Sequence, residues 1–221
     1  MVTRTPLTRE RVLEAAVALA DRDGLAALTM RGLAAGLGVE AMSLYHHLPG
    51  KQALLDGVVE CLLGEVTAAV AHEHAGDWRT QLRRQFLTAR RVMLRHPWAP
   101  GLIASRTSVP PTVFAYYDGI LATLVGAGFT YHLAHRALHA FGSMPLGFAQ
   151  EVFAPGGDFE PEASEAELAA MAEALPHVTA MVASEIHDAG DPTLGWCDSQ
   201  AEFEFTLDLL LNGLEDLRRQ G

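Results

Sequence analysis

Apolar residues recur three and four positions apart along almost the whole chain, and no stretch alternates residue by residue as a half-buried strand does. The pattern predicts an all-α protein. Thr8 is a fitting N-cap, and Val12, Leu13, Ala16, Leu19 and Ala20 mark one face of a first helix that Gly24 ends. Thr29 caps a second helix with Leu33, Ala34 and Leu37 inward, Gly38 supplies a sharp turn, and a third short helix covers Ala41 to His47. Leu48-Pro49-Gly50 breaks the pattern. A long helix follows over residues 51–71, with Leu54, Leu55, Val58, Val59, Leu62, Leu63 and Val66 making a broad apolar face.

Beyond Asp77, a further cap, the spacing predicts helices over residues 78–96, 101–106, 110–127 and 131–153, the last carrying Pro145 inside it as a kink. Helical patterns at 164–187, broken at Pro176, lie between loops at 154–164 and 188–199. The final helix, 200–219, spaces Phe203, Leu207, Leu210, Leu211, Leu214 and Leu217 in a near-heptad series. With the 131–153 helix it is the candidate for a four-helix interface between two copies, burial within one subunit being the alternative. The domains expected are a head at 1–50, a connecting helix at 51–72 and a larger body at 73–221.

Composition narrows the function. With 221 residues and 49% hydrophobic content the chain can build its own core. Cys61 and Cys197 fit no metal or redox spacing and read as packing residues of a reduced, cytoplasmic protein. The N-terminal segment is charged throughout, unlike a signal peptide, and no apolar run reaches the roughly 20 residues needed to cross a bilayer. A net charge of -11 argues at first against a polyanionic partner. Yet residues 1–56 hold six Lys/Arg and six Asp/Glu, so the whole excess of acid lies beyond them. A neutral head can present a locally positive face, since charges more than a Debye length of about 10 Å away are largely screened.

Two short helices around a Gly turn, braced by a preceding helix, make a helix-turn-helix whose second member enters a major groove. Small or moderate side chains at its start, Ala41, Met42 and Ser43, let backbone approach base edges. Tyr45, His47 and Lys51 are donors of phosphate-reaching length, and Arg31 is the candidate reader of guanine O6 and N7. The stretch "TMRGLAAGLGVEAMSLYHHLPGKQALLDG" resembles, without a gap, the DNA-binding domain of the TetR family of transcriptional repressors, and specifically its tetracycline-repressor subgroup. "GDWRTQLRRQFLTARRVMLRHP", "GAGF", "LGFAQE" and "FEFTLDLLLNGLEDL" are similar to that subgroup's C-terminal domain. The resemblance implies that Arg31, Ala41, Met42, Ser43 and His46 face bases while Thr29, Tyr45, His47 and Lys51 hold phosphates. Ala41 and Met42 stand where the subgroup has Gln-Pro, so a different operator is expected.

The resemblance further implies a homodimer on a double-stranded palindromic operator, and a chamber beyond residue 73 whose small-molecule effector shifts the short helix near 101–106. The expected wall is Phe86, Ala89, Arg90, Met93, Trp98, Ile103, Phe114, Tyr117, Met144 and Phe148, a largely apolar set with polar handles. Ile103 and Thr67 replace the subgroup's metal-holding His, so no metal and no cofactor are expected. His132, His135 and His139 share one helical face without a carboxylate or Cys and read as interface or surface packing. Seven Arg against a single acid between Trp78 and Gly128 favour a neutral or anionic effector, unless those Arg lie on outer faces or pair with acids. No nucleophile-base pair or phosphate loop points to an enzyme. The competing reading is a helical interaction protein with a degenerate DNA module.

Overall fold

The computed structural model describes residues 6–71, 76–148, 165–184 and 199–220, all the described secondary structure being helical. The loops expected at 154–164 and 188–198, the helix end at 149–153, residues 185–187 and Cys197 lie outside the described residues. The helices are α1 (Arg9–Asp23), α2 (Met30–Leu37), α3 (Ala41–Tyr45), α4 (Lys51–Ala71), α5 (Trp78–Arg95), α6 (Ala99–Ala104), α7 (Pro111–Gly126), α8 (Tyr131–Gly147), α9 (Glu165–Ala174), α10 (Pro176–Ser184) and α11 (Ser199–Gln220). Residues up to Ala149 together with Leu207–Gly221 form one compact unit, and Gln150–Thr206 forms a second in which α9 and α10 pack on each other across Leu175.

In the larger unit the expected caps form. The Thr8 side chain accepts from Arg11 N–H at 3.2 Å, and that of Asp77 accepts from Thr80 N–H at 2.9 Å. Val12, Leu13 and Ala16 of α1 are buried against Leu33 of α2, Leu44 of α3 and Leu54 and Val58 of α4. Farther along α4, Leu62 and Val66 join a second cluster with Ala89, Val92 and Met93 of α5 and Ala99 of α6. One long helix therefore supplies both cores, which is why its apolar face is so broad. Gly57 permits the first packing: a Cβ there would lie 2.6 Å from Leu13 Cδ2. Cys61 sits beside this seam, and burial pushes its thiol pKa up.

Two boundaries differ from the sequence expectation, and one apolar face is resolved. α3 ends at Tyr45, because Leu44 C=O accepts from both His47 and Leu48 N–H at 2.9 Å and Pro49 disfavours a helical Leu48. α6 begins at Ala99, with Pro100 in its first turn, where a missing N–H costs nothing. The near-heptad series on α11 is largely an inner face: Phe203, Leu207, Leu211 and Leu214 are buried, while Leu217 and the off-register Phe205 and Leu209 are exposed. Arginines of α5 hold this helix in place: Arg79 donates to Leu211 O at 3.1 Å and Asn212 Oδ1 at 2.6 Å, and Arg83 pairs with Asp208 at 3.1 Å.

Gly57→Val will lower stability by about 1–3 kcal/mol through overpacking, a fall of about 2–4 °C in melting temperature per kcal/mol for a chain this long. Gly64→Ala, with open space at its Cβ, will instead raise stability by about 0.5–1 kcal/mol; thermal unfolding of both checks the α1–α4 seam. The Thr80 amide holds the Asp77 carboxyl below its ordinary value, so this cap stabilises fully above the unfolded carboxylate pKa and fades as pH falls through the lower folded one. The melting difference between Asp77→Ala and the parent protein will accordingly be present at neutral pH and vanish in strong acid.

Candidate nucleic-acid interface and ligand chamber

The head holds a short helix rigidly at the surface. Thr29 Oγ1 accepts from Gly32 N–H at 3.0 Å, opening α2 and leaving its own O–H free in direction. Gly38 adopts the left-handed conformation (φ 64°, ψ 36°) and turns the chain into Glu40, whose extended backbone starts α3. Leu44 and Leu48 are buried at 0% and 1% exposure and pin α3 from beneath. Opposite them Met42 is 71% exposed and Tyr45 45% exposed. Arg31, His46 and Lys51 are also exposed, and Ala41, Ser43 and His47 are half-buried. Eight of the nine residues named from the sequence thus lie on α2, α3 or the turns beside them, and the ninth, Lys51, opens α4 directly after the head.

The ten expected chamber residues divide. Phe86, Ala89, Met93, Ile103 and Tyr117 line one apolar cavity of about 110 Å³ between α4, α5, α6, α7 and α8. Val59, Leu63, Val113, Tyr116, Ile120, Leu138 and Leu146 also line it and were not foreseen, because each looks like ordinary core in a helical repeat. Phe86 stacks on Phe141, ring centroids 4.9 Å apart, and backs the cavity wall. The other five do not line it. Arg90 is fully buried and donates from Nη1 to Phe148 O at 2.9 Å, Met144 is buried in α8, and Phe114 is 61% exposed. Trp98 turns toward α1 instead.

That turn creates a contact invisible in the sequence. Asp21 Oδ1, near the end of α1, accepts from Trp98 Nε1 at 2.8 Å and pairs with His96 Nδ1 at 2.7 Å. His96 Nε2 lies 3.6 Å from Glu65 Oε1 on α4, and Arg95 bonds the same carboxylate. Past the other end of α6, Arg106 donates to Gln52 Oε1 at 2.7 Å and Asp56 Oδ1 at 3.4 Å, and Ser108 Oγ donates to Asp56 Oδ2 at 3.2 Å. Both ends of α6 are therefore fastened, one to the head's α1 and one to the first turns of α4. Nothing in the sequence marks Asp21, Gln52 or Asp56, and only their partners give them a role.

The arginine surplus is mostly structural as well. Besides Arg79, Arg83, Arg90, Arg95 and Arg106, Arg91 donates to Thr88 Oγ1 at 2.8 Å. His135 and His139 touch through Nε2 atoms 3.1 Å apart on the exposed side of α8. Among the described residues no group of three His, Cys, Asp or Glu side chains is placed to hold a metal, and no helix is long and apolar enough to cross a membrane.

Comparisons with known proteins agree with this arrangement. Residues 12–58 match the family described as bacterial regulatory proteins, tetR family, and residues 71–218 match the tetracyclin repressor-like C-terminal domain. The class C tetracycline repressor protein of Escherichia coli is 30% identical over 217 residues, spanning 96% of this chain and 92% of that protein. An HTH-type transcriptional regulator of Saccharopolyspora erythraea is 39% identical over 127 residues, 58% of this chain and 53% of that protein, so the match spans about half of that relative's length. A TetR variant from Acinetobacter baumannii AYE, solved in complex with minocycline, superposes with a TM-score of 0.67 at 26% identity, covering 96% of this chain and 95% of that one. Matched in this order at both ends and carrying a helix-turn-helix with its outer face exposed, the chain belongs to the TetR family of bacterial transcriptional regulators.

Proposed function

We propose that the protein is a cytoplasmic, non-catalytic repressor that binds a palindromic operator as a dimer and is released by a small, largely apolar effector. The observation that carries the DNA half is the exposure of α3: a Met and a Tyr stand out from a five-residue helix whose opposite side is pinned by Leu44 and Leu48. Met42 offers apolar contact to a thymine methyl, Ser43 a hydrogen bond to a base edge, and Tyr45 and Lys51 bonds to flanking phosphates. In this reading Arg31 on α2 reads a guanine, Ala41 and His46 face the bases, and Thr29 and His47 hold the backbone.

A single short helix reads too few base pairs, and two heads about 34–36 Å apart fit successive major grooves. Exposed Phe205, Leu209 and Leu217 on the outer side of α11, whose inner side is already buried, favour a second copy there, with the outer face of α8 as its neighbour. Release needs an effector that binds the DNA-incompetent arrangement better than the competent one, typically by about 1–3 kcal/mol per site. The apolar cavity supports such a role. It touches Val59 and Leu63 on α4 and Ile103 on α6, and α6 is tied at both ends to elements that orient the head. The ligand-bound architecture of the A. baumannii relative favours the same use of the body here. Ile103, an apolar wall, offers no donor to a metal chelate.

Nuclease footprinting on the DNA flanking its own coding region will show two protected half-sites. Lys51→Ala and Tyr45→Phe will weaken binding on matched and scrambled duplexes alike, Lys51→Ala also lowering the salt slope by about 1, whereas Ser43→Ala and Met42→Ala will change base preference. Equal losses for all four on both duplexes would remove this division of roles. Asp21→Ala leaves the Trp98 N–H without its partner, and amide exchange in α1 and α2 will rise by about 5- to 150-fold while α7 and α8 stay unchanged, a 1–3 kcal/mol effect. A uniform rise across the chain would mean that Asp21 serves global stability and not the joint between head and body.

A further inference from the structure

Two imidazoles meet on the outer side of α8. His135 and His139 lie one helical turn apart, and both are exposed. Their Nε2 atoms are 3.1 Å apart, and their rings stand at 88° with centroids 4.7 Å apart. Side chains solvated on a helix surface have no need of each other, yet here both rings turn the same nitrogen to one point. One Nε2 donates its proton there and the other accepts it. Arg136, three residues before His139, is exposed and offers no ligand atom; its charge weakens cation binding at the pair without blocking it.

This separation is also that of two ligands on one metal ion. With metal–nitrogen bonds of about 2.0–2.1 Å, two imidazole nitrogens stand about 2.8–3.4 Å apart for bond angles between square and tetrahedral. The pair is thus already at chelating distance. Ala134, Ala137 and Phe141 are buried on the opposite side of α8, so the turns that carry the two rings are fixed by packing. Binding needs one change of tautomer. The ring that donates from Nε2 moves its proton to Nδ1, and both Nε2 lone pairs then face the ion with no net loss of protons. Two imidazoles suit Zn²⁺, Ni²⁺ and Cu²⁺, whereas Mg²⁺ and Ca²⁺ seek oxygen ligands. Among the described residues no third His, Cys, Asp or Glu side chain joins the pair, which excludes a closed structural site on one chain and leaves an open one.

We propose that His135 and His139 form a bidentate site for an imidazole-seeking divalent transition-metal ion, one per chain, with water completing its coordination. The site lies outside the apolar cavity but on one of its walls. Leu138, next to His139, lines that cavity together with Gly142, Pro145 and Leu146 of the same helix. Pro145, lacking an N–H, withdraws one helical bond from the turn that follows the pair. An ion that clamps residues 135 and 139 therefore stiffens α8 just ahead of its weakest turn and holds Leu138 in place. The site stands whether or not the cavity takes an effector.

Calorimetry with Zn²⁺, Cu²⁺ and Mg²⁺ on the metal-stripped full chain tests the site. Cu²⁺ will bind more tightly than Zn²⁺, and Mg²⁺ will not bind. His135→Gln and His139→Gln will each weaken Zn²⁺ at this site by at least about tenfold, and the double variant will lose no more than either single one, because both remove the same ion. His132→Gln, on the same helix, will leave the affinity within about twofold. Gln is a good helix former and both positions are exposed, so the metal-free variants will melt with the parent. At a free Zn²⁺ concentration about ten times its Kd, amide exchange over residues 139–143 will slow about tenfold, and His139→Gln will remove the slowing. Unchanged Zn²⁺ affinity in both variants, an equal loss in His132→Gln, Mg²⁺ bound as tightly as Zn²⁺, or slowed exchange that survives His139→Gln overturns the proposal. One ion per two chains, lost in both variants, would put a second copy's pair in the open positions and overturn a site complete on one helix.

Discussion

The protein depends on one helix being buried from two sides. α4 gives Leu54, Val58 and Val59 to the core of the head and Leu62 and Val66 to the core of the body, so neither core can be assembled without it. At 21 residues it is about 30 Å long and behaves as a rod, because a packed helix transmits displacement without absorbing it. Gly57 brings α1 close to that rod, and the head follows where α4 points.

α6 is the second requirement. Its own six residues could not hold a position, and its placement comes from bonds at its two ends. These bonds are unequal. Arg95–Glu65, beside the first end, joins exposed side chains, a class of pair that contributes about 0–1 kcal/mol. Asp21 is different: a single carboxylate oxygen serves the buried His96 and the Trp98 indole together, and loss of the first partnership leaves the His96 imidazole in a poorly solvated place. The cavity wall at Ile103 lies between these fastenings. Any displacement of that wall would strain both.

The two proposed recognition surfaces follow opposite physical rules. On α3, large side chains stand exposed on a short, pinned helix, as suits contact with a stiff, polar and hydrated duplex. In the body, the apolar cavity borders no described carboxylate and is lined almost wholly by apolar and aromatic side chains. The surplus of Arg on α5, which from composition alone points toward an anionic ligand, serves chiefly to fasten α5 to α4, α8 and α11.

Local chemistry settled much of this from the sequence. Thr8, Thr29 and Asp77 cap helices because a side-chain oxygen next to an apolar-periodic run has free amides within reach, and Gly38 turns because it alone accepts the left-handed backbone without cost. The exposed face of α3 was legible for the same reason: in a helix that short, fixing Leu44 inward fixes Met42 and Tyr45 outward. What the sequence left open were the contacts between elements distant in the chain. Nothing in the sequence marked Asp21 or Asp56 as partners of the segments flanking α6, Trp98 read as chamber wall until it turned to α1, and the leucines of α11 suited a core or an interface. Helical periodicity states which side of a helix is apolar; what covers that side is decided by the packing of elements dozens of residues apart, which only the tertiary structure contains.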